Sequence, residues 1–410
     1  MGTSWNKVFE LFMDIKKEVG ENFNTTTPIK DLISKYCSAY HQKVCEPLEL
    51  TQYGNLLLIR YGRYSNVFNG ESEYEYTDFW DLYDGIYKEC RSLVIDIVGE
   101  DIVLSPFKKF RNLNECEETS LKSIESRILR AKNIEVSNKL DGSMQSARWY
   151  NGEIIMSGSQ SLDKDLSWRL QDGYNMLFDS PNYLKMLKSN PNYTFIFEYI
   201  SLDDAHCVVY TKEDEGLYLV GIRDSTNGVQ FSYKDVVDMA NKFSVRTTTL
   251  YNMNLDDVLD SLSKYKSKEK EGYVLNINGF MVKVKCDDYV NIHNILSKVS
   301  SVNVVIKNIA DDTFDDLISK VPSPYKSRVM DTATIVFDYL RKTDDKVNQY
   351  YKEAPKDNIG TFMKWVTDYV PNYYQSYVRN VYKGIDNNYI KGGSESCPSY
   401  KKMNEISKMV

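Results

Sequence analysis

Histidine is scarce in this chain: His41, His206 and His293 stand far apart across 410 residues. That spacing predicts no histidine-built zinc centre. The seven cysteines (Cys37, Cys45, Cys90, Cys116, Cys207, Cys286 and Cys397) include no C-x-x-C pair, and their number is odd. Reduced thiols fit this better than a disulfide frame, so a cytosolic setting is expected. No run of about 18 apolar residues exists, so no helical membrane span is expected. The first residues lack the charged-then-apolar pattern of a signal segment. No internal repeat or low-complexity tract stands out. The net charge of −7 excludes a uniformly basic coater of nucleic acid, and any RNA contact must use a local basic patch.

What is present is enough to fold. Hydrophobic residues make up 42% of the chain, ample for packed cores, and the length predicts two or three domains. Tyrosine is abundant at 32; most of these rings are expected in the core or half-buried, though some could stack on unpaired bases. Residues 5–19 carry Val8, Phe9, Phe12, Ile15 and Val19 at helical spacing, and Thr27-Pro28 starts a second helix bearing Leu32, Ile33, Tyr36 and Tyr40. Strands are expected at 55–61, 91–98, 145–149, 153–156, 194–200 and 217–223, with Asn151-Gly152 as a hairpin turn. Residues 64–87 and 105–114 read as loops, the second basic and aromatic. Helices are expected at 166–178, 183–188, 233–243 and 255–265, and the lysines of 263–270 read as a solvated connector. From about Asn291 onward the apolar stripes are helical: Phe314, Leu317, Ile318 and Val321; Val329, Ala333, Val336 and Leu340; Phe362, Trp365, Val366 and Tyr369.

The chain is organised around Val136-Ser137-Asn138-Lys139-Leu140-Asp141-Gly142-Ser143. Two readings fit this stretch. One is a strand ending in a polar turn, for which Asp-Gly is common. The other is a lysine nucleophile on a tight turn facing a nucleotide. An amine with an ordinary pKa of about 10.4 is neutral in only about one molecule in a thousand near pH 7.5. Such a site therefore needs burial or nearby cations to free the lone pair, and Met281-Val282-Lys283-Val284-Lys285 would supply two cations. Glu198 interrupts the apolar run Phe195-Ile196-Phe197-Glu198-Tyr199. A carboxylate there is costly without a partner, which favours function over decoration.

Lys139-Leu140-Asp141-Gly142 resembles the K-x-D-G motif of covalent nucleotidyltransferases, the polynucleotide ligases and mRNA-capping enzymes. Phe195 to Tyr199, Leu217 to Arg223, Glu271-Gly272-Tyr273-Val274-Leu275 and Met281 to Lys285 resemble the later motifs, in the family's order. Upstream, Cys90-Arg91-Ser92-Leu93-Val94 and Lys108-Lys109-Phe110-Arg111-Asn112-Leu113-Asn114-Glu115 resemble the RNA ligase 1 family of phage tRNA-repair ligases. The resemblance covers roughly residues 50 to 290.

It implies an α+β fold: an adenylation (nucleotidyltransferase) domain of antiparallel sheets and flanking helices over 1–290, then an all-helical domain over 291–410 that serves RNA recognition in that family. It implies an ATP-dependent ligase that joins 5′-phosphate and 3′-hydroxyl RNA ends through lysyl–AMP and RNA-adenylate, with single-stranded RNA or a tRNA anticodon loop as substrate. A monomer in the host cytoplasm and a phage origin are the matching expectations. Lys139 becomes the nucleophile. Lys283 and Lys285 grip the α-phosphate and depress the pKa of Lys139. Glu271 holds Mg2+, or Mn2+, directly or through water. Asp141 and Gly142 shape the nucleophile's surroundings, Glu198 takes the ribose hydroxyls, and Val220 and Ile222 line the adenine pocket. Arg91, Lys109 and Tyr289 complete the nucleotide contacts. The family has an aromatic residue where this chain has Arg111, so either Arg111 or Phe110 stacks on the base. It also has a basic residue near Ser157-Gly158-Ser159-Gln160-Ser161; either Gln160 substitutes or Lys164 reaches in. Capping or DNA ligase chemistry is the nearest alternative, disfavoured by the absence of a strand-rich tail, and a non-catalytic RNA-binding relative is the other.

Overall fold

Helix α1 (Lys7–Val19) begins where the Asn6 side chain accepts the N–H groups of Val8 and Phe9, satisfying two orphan donors. Its stripe of Val8, Phe12, Ile15 and Val19 is buried. With Leu32 and Ile33 of α2 (Ile29–Tyr36), it packs on the first sheet, against Leu57, Ile59, Leu93 and Ile95. The expected second helix is shorter than its stripe implied. It stops at Cys37, and Tyr40, 60% exposed, belongs to α3 (Ala39–Cys45), which Ser38 caps. The computed structural model describes residues 4–62, 79–204, 206–286, 302–310, 313–319, 321, 326–387 and 389–390. Contacts divide the chain into two units, 1–290 and 291–410.

The first unit holds three four-stranded sheets, each antiparallel throughout. The first is β1 (Leu48–Tyr53), β2 (Leu56–Tyr61), β3 (Arg91–Asp96) and β4 (Asp101–Leu104), in chain order. After α4 (Leu121–Ile128) come β5 (Ile134–Lys139), β6 (Ser143–Tyr150) and β7 (Glu153–Ser157). Asn151 and Gly152, both at positive φ (49° and 91°), make the expected hairpin between β6 and β7. Helices α5 (Trp168–Asp179) and α6 (Pro181–Ser189) precede β8 (Tyr193–Ile200) and β9 (Gly216–Asp224). Helix α7 (Tyr233–Phe243), β10 (Leu250–Tyr251), α8 (Leu255–Leu262), β11 (Gly272–Ile277) and β12 (Phe280–Lys285) complete the unit. The second sheet runs β10-β5-β11-β12 and the third β7-β6-β8-β9. Leu170, Leu177, Met186, Leu187, Val236 and Ala240 bury the outer face of the third sheet.

Arg223, 2% exposed, ties this unit together. It makes two bonds to Glu89, at 2.7 and 2.9 Å, and donates to the carbonyls of Pro106 and Gly228. Removing one partner of such a pair leaves the other charge buried and uncompensated. Arg223→Ala is expected to lower unfolding stability by about 3–5 kcal/mol in urea titrations. A loss below about 1 kcal/mol, the scale of an exposed ion pair, would show that the pair is not structural.

The described part of the second unit is α9 (Val302–Ala310), α10 (Phe314–Ser319), α11 (Lys326–Glu353), α12 (Ile359–Tyr369) and α13 (Asn372–Tyr382). Among its described residues there is no strand. Val305, Val321, Val329 and Ala333 form one small core; Val347, Phe362, Val366, Tyr377 and Val378 form another. No described helix of the chain is long and apolar enough to cross a membrane.

Candidate active site

Register places the charged groups. Gly272 opposes Lys139 on one side and Lys285 on the other. The residue before it, Glu271, therefore sits between the two amines. Lys139 Nζ donates to Glu271 Oε2 at 2.6 Å, and Lys285 Nζ lies 3.0 Å from Oε1. Glu271 is only 3% exposed. A carboxylate this deep would normally be pushed up by burial, but the two lysines outweigh that and hold its pKa below the ordinary value.

The same pairing corrects one expectation. Burial acts to lower the pKa of Lys139, but Glu271, Glu198 and Asp141 outweigh it, and the amine is held above its ordinary pKa. Lys283, by contrast, is held well below its ordinary pKa, where burial and the nearby charges of Arg91, Lys139, Lys109 and Lys285 all act downward. Lys283 Nζ lies 4.6 Å from the centre of the Phe110 ring. The sequence could not show that the charge nearest to Lys139 is an acid.

Lys139 opens into a pocket of about 380 Å3, within the range of small-molecule sites. Its lining includes the charged Arg91, Glu198, Lys283 and Lys285 and the apolar Phe110, Val220 and Val274. Arg91 Nη1 is buried with no acceptor among the described residues, so the pocket carries an unsatisfied cationic donor fit for an anion. Of the two stacking candidates Phe110 lines the pocket, beside Phe107 and Tyr233, while Arg111, 7% exposed, turns towards Asp81 at 3.5 Å. The 105–114 loop is fixed there because Lys283 N–H donates to Arg111 O and Leu113 N–H donates to Lys283 O, extending the β12 edge.

Glu198 stands on β8 opposite Met144 and accepts the Gly142 N–H at 3.1 Å. Burial raises its pKa, to about 7; Glu271 and Asp141 add to the rise, and Lys139 and Arg91 oppose it. Gly142 is required by closeness: a Cβ there would lie 2.5 Å from Tyr199 O and 2.9 Å from Glu198 Cγ. Gly142→Ala must therefore push β6 from β8. It is expected to cost about 1–3 kcal/mol of stability, as overpacking does, and to displace Glu198 enough to abolish nucleotide binding, measured by calorimetry. Unchanged binding would mean the motif glycine is only a turn residue.

Other sites differ from expectation. Ile222 is fully buried in the core of the third sheet, while Val220 faces the pocket. The cause is a bulge: Ile196 pairs with Gly221 and Phe197 with Leu219, leaving Val220 unpaired. Strict alternation put Val220 and Ile222 on one face. Lys109 lies over the Trp80 ring at 5.0 Å and lines a neighbouring pocket with Lys88 and Lys108. Asp141 accepts the N–H groups of Cys207 and Val208, bracing the 207–208 loop behind the nucleophile. Neither Gln160 nor Lys164 lines the pocket. Ser159 does, and Lys164 lies over the Tyr174 ring at 4.1 Å. Lys270 is not solvated: it is 8% exposed, caged by Tyr251, Tyr265 and Tyr273, and bonded to Asn138. Tyr289 lies outside the described residues.

Sequence reading missed Tyr210, whose hydroxyl accepts the Asp141 N–H at 2.8 Å. It also missed Asp204, held by Arg169 at 2.5 and 2.6 Å and by Ser143 at 2.9 Å. No local pattern marks either residue.

Residues 89–289 match a family model described as RNA ligase, of the phage type. Over that segment the chain is similar to this RNA ligase family. Solved structures of RNA ligases are similar at a greater distance. A variant of the Naegleria gruberi RNA ligase with ATP and Mn is 16% identical, over 47% of this chain and 58% of that one, with a TM-score of 0.35. Another variant of that enzyme, with AMP and Mn, is 16% identical over 47% and 59%, with a TM-score of 0.36. An archaeal ATP-dependent RNA ligase is 11% identical over 92% of this chain and 99% of that one, with a TM-score of 0.44. The chain thus spans under two thirds of the length of the Naegleria enzymes. The matched segment runs from Glu89 and Arg91 through β12, and so contains every residue named above as lining the Lys139 pocket.

Proposed function

We propose that the chain is an ATP-dependent RNA ligase that joins 5′-phosphate and 3′-hydroxyl RNA ends, with tRNA repair as its setting. The observation that carries this reading is the Lys139 amine, 2.6 Å from Glu271, in the lining of a pocket that also holds the cations Arg91, Lys283 and Lys285 and the apolar groups Phe110, Val220 and Val274. Phe110, Val220 and Val274 would hold the adenine, and Glu198 the ribose hydroxyls. Arg91, Lys283 and Lys285 would take the charge of the α-phosphate.

Lys139 then attacks the α-phosphorus as pyrophosphate leaves, giving a lysyl–AMP phosphoramidate. AMP passes to the 5′-phosphate of an RNA end, and a 3′-hydroxyl displaces it to form the phosphodiester. Glu271 and Glu198 offer the carboxylate oxygens that Mg2+ or Mn2+ takes, often through water. A cation there would supply further charge neutralisation at the phosphate. Both Glu271 oxygens now hold lysines, so their release would free Lys139 from its carboxylate and lower its pKa. The helices of 291–410 we assign to RNA recognition; their lack of described strands favours an RNA ligase over the capping and DNA ligase alternatives.

Two results follow. Because Lys139 is held protonated, lysyl–AMP formation at saturating ATP should rise with pH between 7 and 9, by up to about tenfold per unit. A flat profile would mean the amine is already neutral. With ATP and Mg2+, a single-stranded RNA with a 5′-phosphate and a 3′-hydroxyl should circularise, while 3′-phosphorylated RNA and DNA of the same sequence should not. Joining of DNA, or labelling by GTP alone, would move the chain to the alternatives.

A further inference from the structure

A second constellation lies in the helical layer, away from the pocket. Glu18 ends α1, Cys37 follows α2, and His41 stands in the first turn of α3. One ligand atom of each lies within 4.8 Å of the other two. His41 Nδ1 is 2.5 Å from Glu18 Oε2, and Glu18 Oε1 accepts the Ser38 N–H at 2.8 Å. Cys37 is 7% exposed, whereas the side chains of His41 and Glu18 are 17% and 32% exposed. The thiol thus forms the floor, and solvent reaches the cluster from the other side.

We propose that Glu18, Cys37 and His41 bind a zinc-class divalent cation, with water in the fourth position. A thiolate, an imidazole and a carboxylate are the donor types of tetrahedral zinc sites. Bonds of about 2.0 Å to N and O and about 2.3 Å to S set the donors roughly 3.3–3.5 Å apart. Side-chain rotations of about an ångström reach that spacing here. On binding, Cys37 gives its S–H proton to solvent, and neutral His41 carries its remaining proton on Nε2 so that Nδ1 can ligate. The ion would add to the Glu18–Ser38 and Glu18–His41 contacts that already tie α1 to the α2–α3 turn. Histidine scarcity did not exclude this, because the site takes one histidine and the Cys37-x-x-x-His41 spacing.

The test uses the full chain, stripped with a chelator, reloaded with Zn2+ or Co2+ and desalted. One zinc per chain is expected, and the cobalt form should show a sulfur-to-metal charge-transfer band. Cys37→Ser should abolish that band. His41→Asn, at a partly exposed position, should weaken zinc binding by at least about tenfold, the loss that even outer-shell changes cause. Circular dichroism checks the fold of each. Glu271→Gln, which touches only the catalytic pocket, should leave the band intact. Wild-type protein that retains no zinc, or a charge-transfer band that survives in Cys37→Ser or is unaffected by His41→Asn, would overturn the proposal. In that case the three residues form a hydrogen-bonded helix junction only.

Discussion

Lys139→Ala should form no covalent adduct with ATP and yet still seal an RNA that is supplied already adenylated. The first step needs a lone pair at the end of β5; alanine offers none, and the loss should be on the order of the 10⁶-fold seen when other covalent nucleophiles are removed. The last step needs only the 3′-hydroxyl, the activated 5′ end and the groups that take phosphate charge, all of which alanine leaves in place. Glu271 loses one of its two amine partners in this variant but keeps Lys285 at 3.0 Å, so the carboxylate is not stranded. Circular dichroism and sealing of adenylated RNA together report the fold. An adduct at wild-type rate would remove Lys139 from the chemistry. Loss of sealing from a folded variant would give the amine a second task in the final step.

Glu198→Gln should separate stability from activity. Burial holds the Glu198 carboxyl at a pKa of about 7 in the folded chain, above the ordinary 4.5. For an acid raised on folding, the stability it contributes is fully present below pH 4.5, where both states are protonated, and is lost as pH rises through 7. Glutamine keeps the shape and never ionises. The variant should therefore melt close to wild type at pH 4.5 and above it at pH 8, with the gap opening between the two and level beyond. It should also lose lysyl–AMP formation, because the amide carries no charge and replaces one of the carboxylate's two acceptor oxygens with an NH2 donor. A gap that is constant with pH would mean Glu198 is ionised throughout; adenylylation at wild-type rate would contradict its ribose role.

Much of the frame was readable because local chemistry and tertiary fold agree. The capped stripe of α1, the Asn151-Gly152 hairpin and the acid within Phe195–Tyr199 all carry their signal within a few residues. Lys139 and Lys285 could be put in one site because the motifs follow in order. What sequence could not show is register. The placement of Glu271 between two lysines comes from Gly272 standing opposite both, and it reverses the expected direction of the Lys139 shift. The bulge at Val220 turns Ile222, which the resemblance put in the pocket, into the core of the third sheet. Lys270 looked solvated because Tyr251, Tyr265 and Tyr273 meet around it only in three dimensions. Strands β1, β4 and the two-residue β10 went unread. β4 spans only Asp101–Leu104, too short for a periodic pattern, and β1 is an edge strand with one neighbour.

The nucleophile is tested most directly by incubating the folded chain with α-labelled ATP and Mg2+, followed by denaturing electrophoresis and peptide mapping. One labelled band is expected, released by pyrophosphate, with the label on Lys139. No label on protein shown to be free of bound AMP, or label on any other residue, would contradict it.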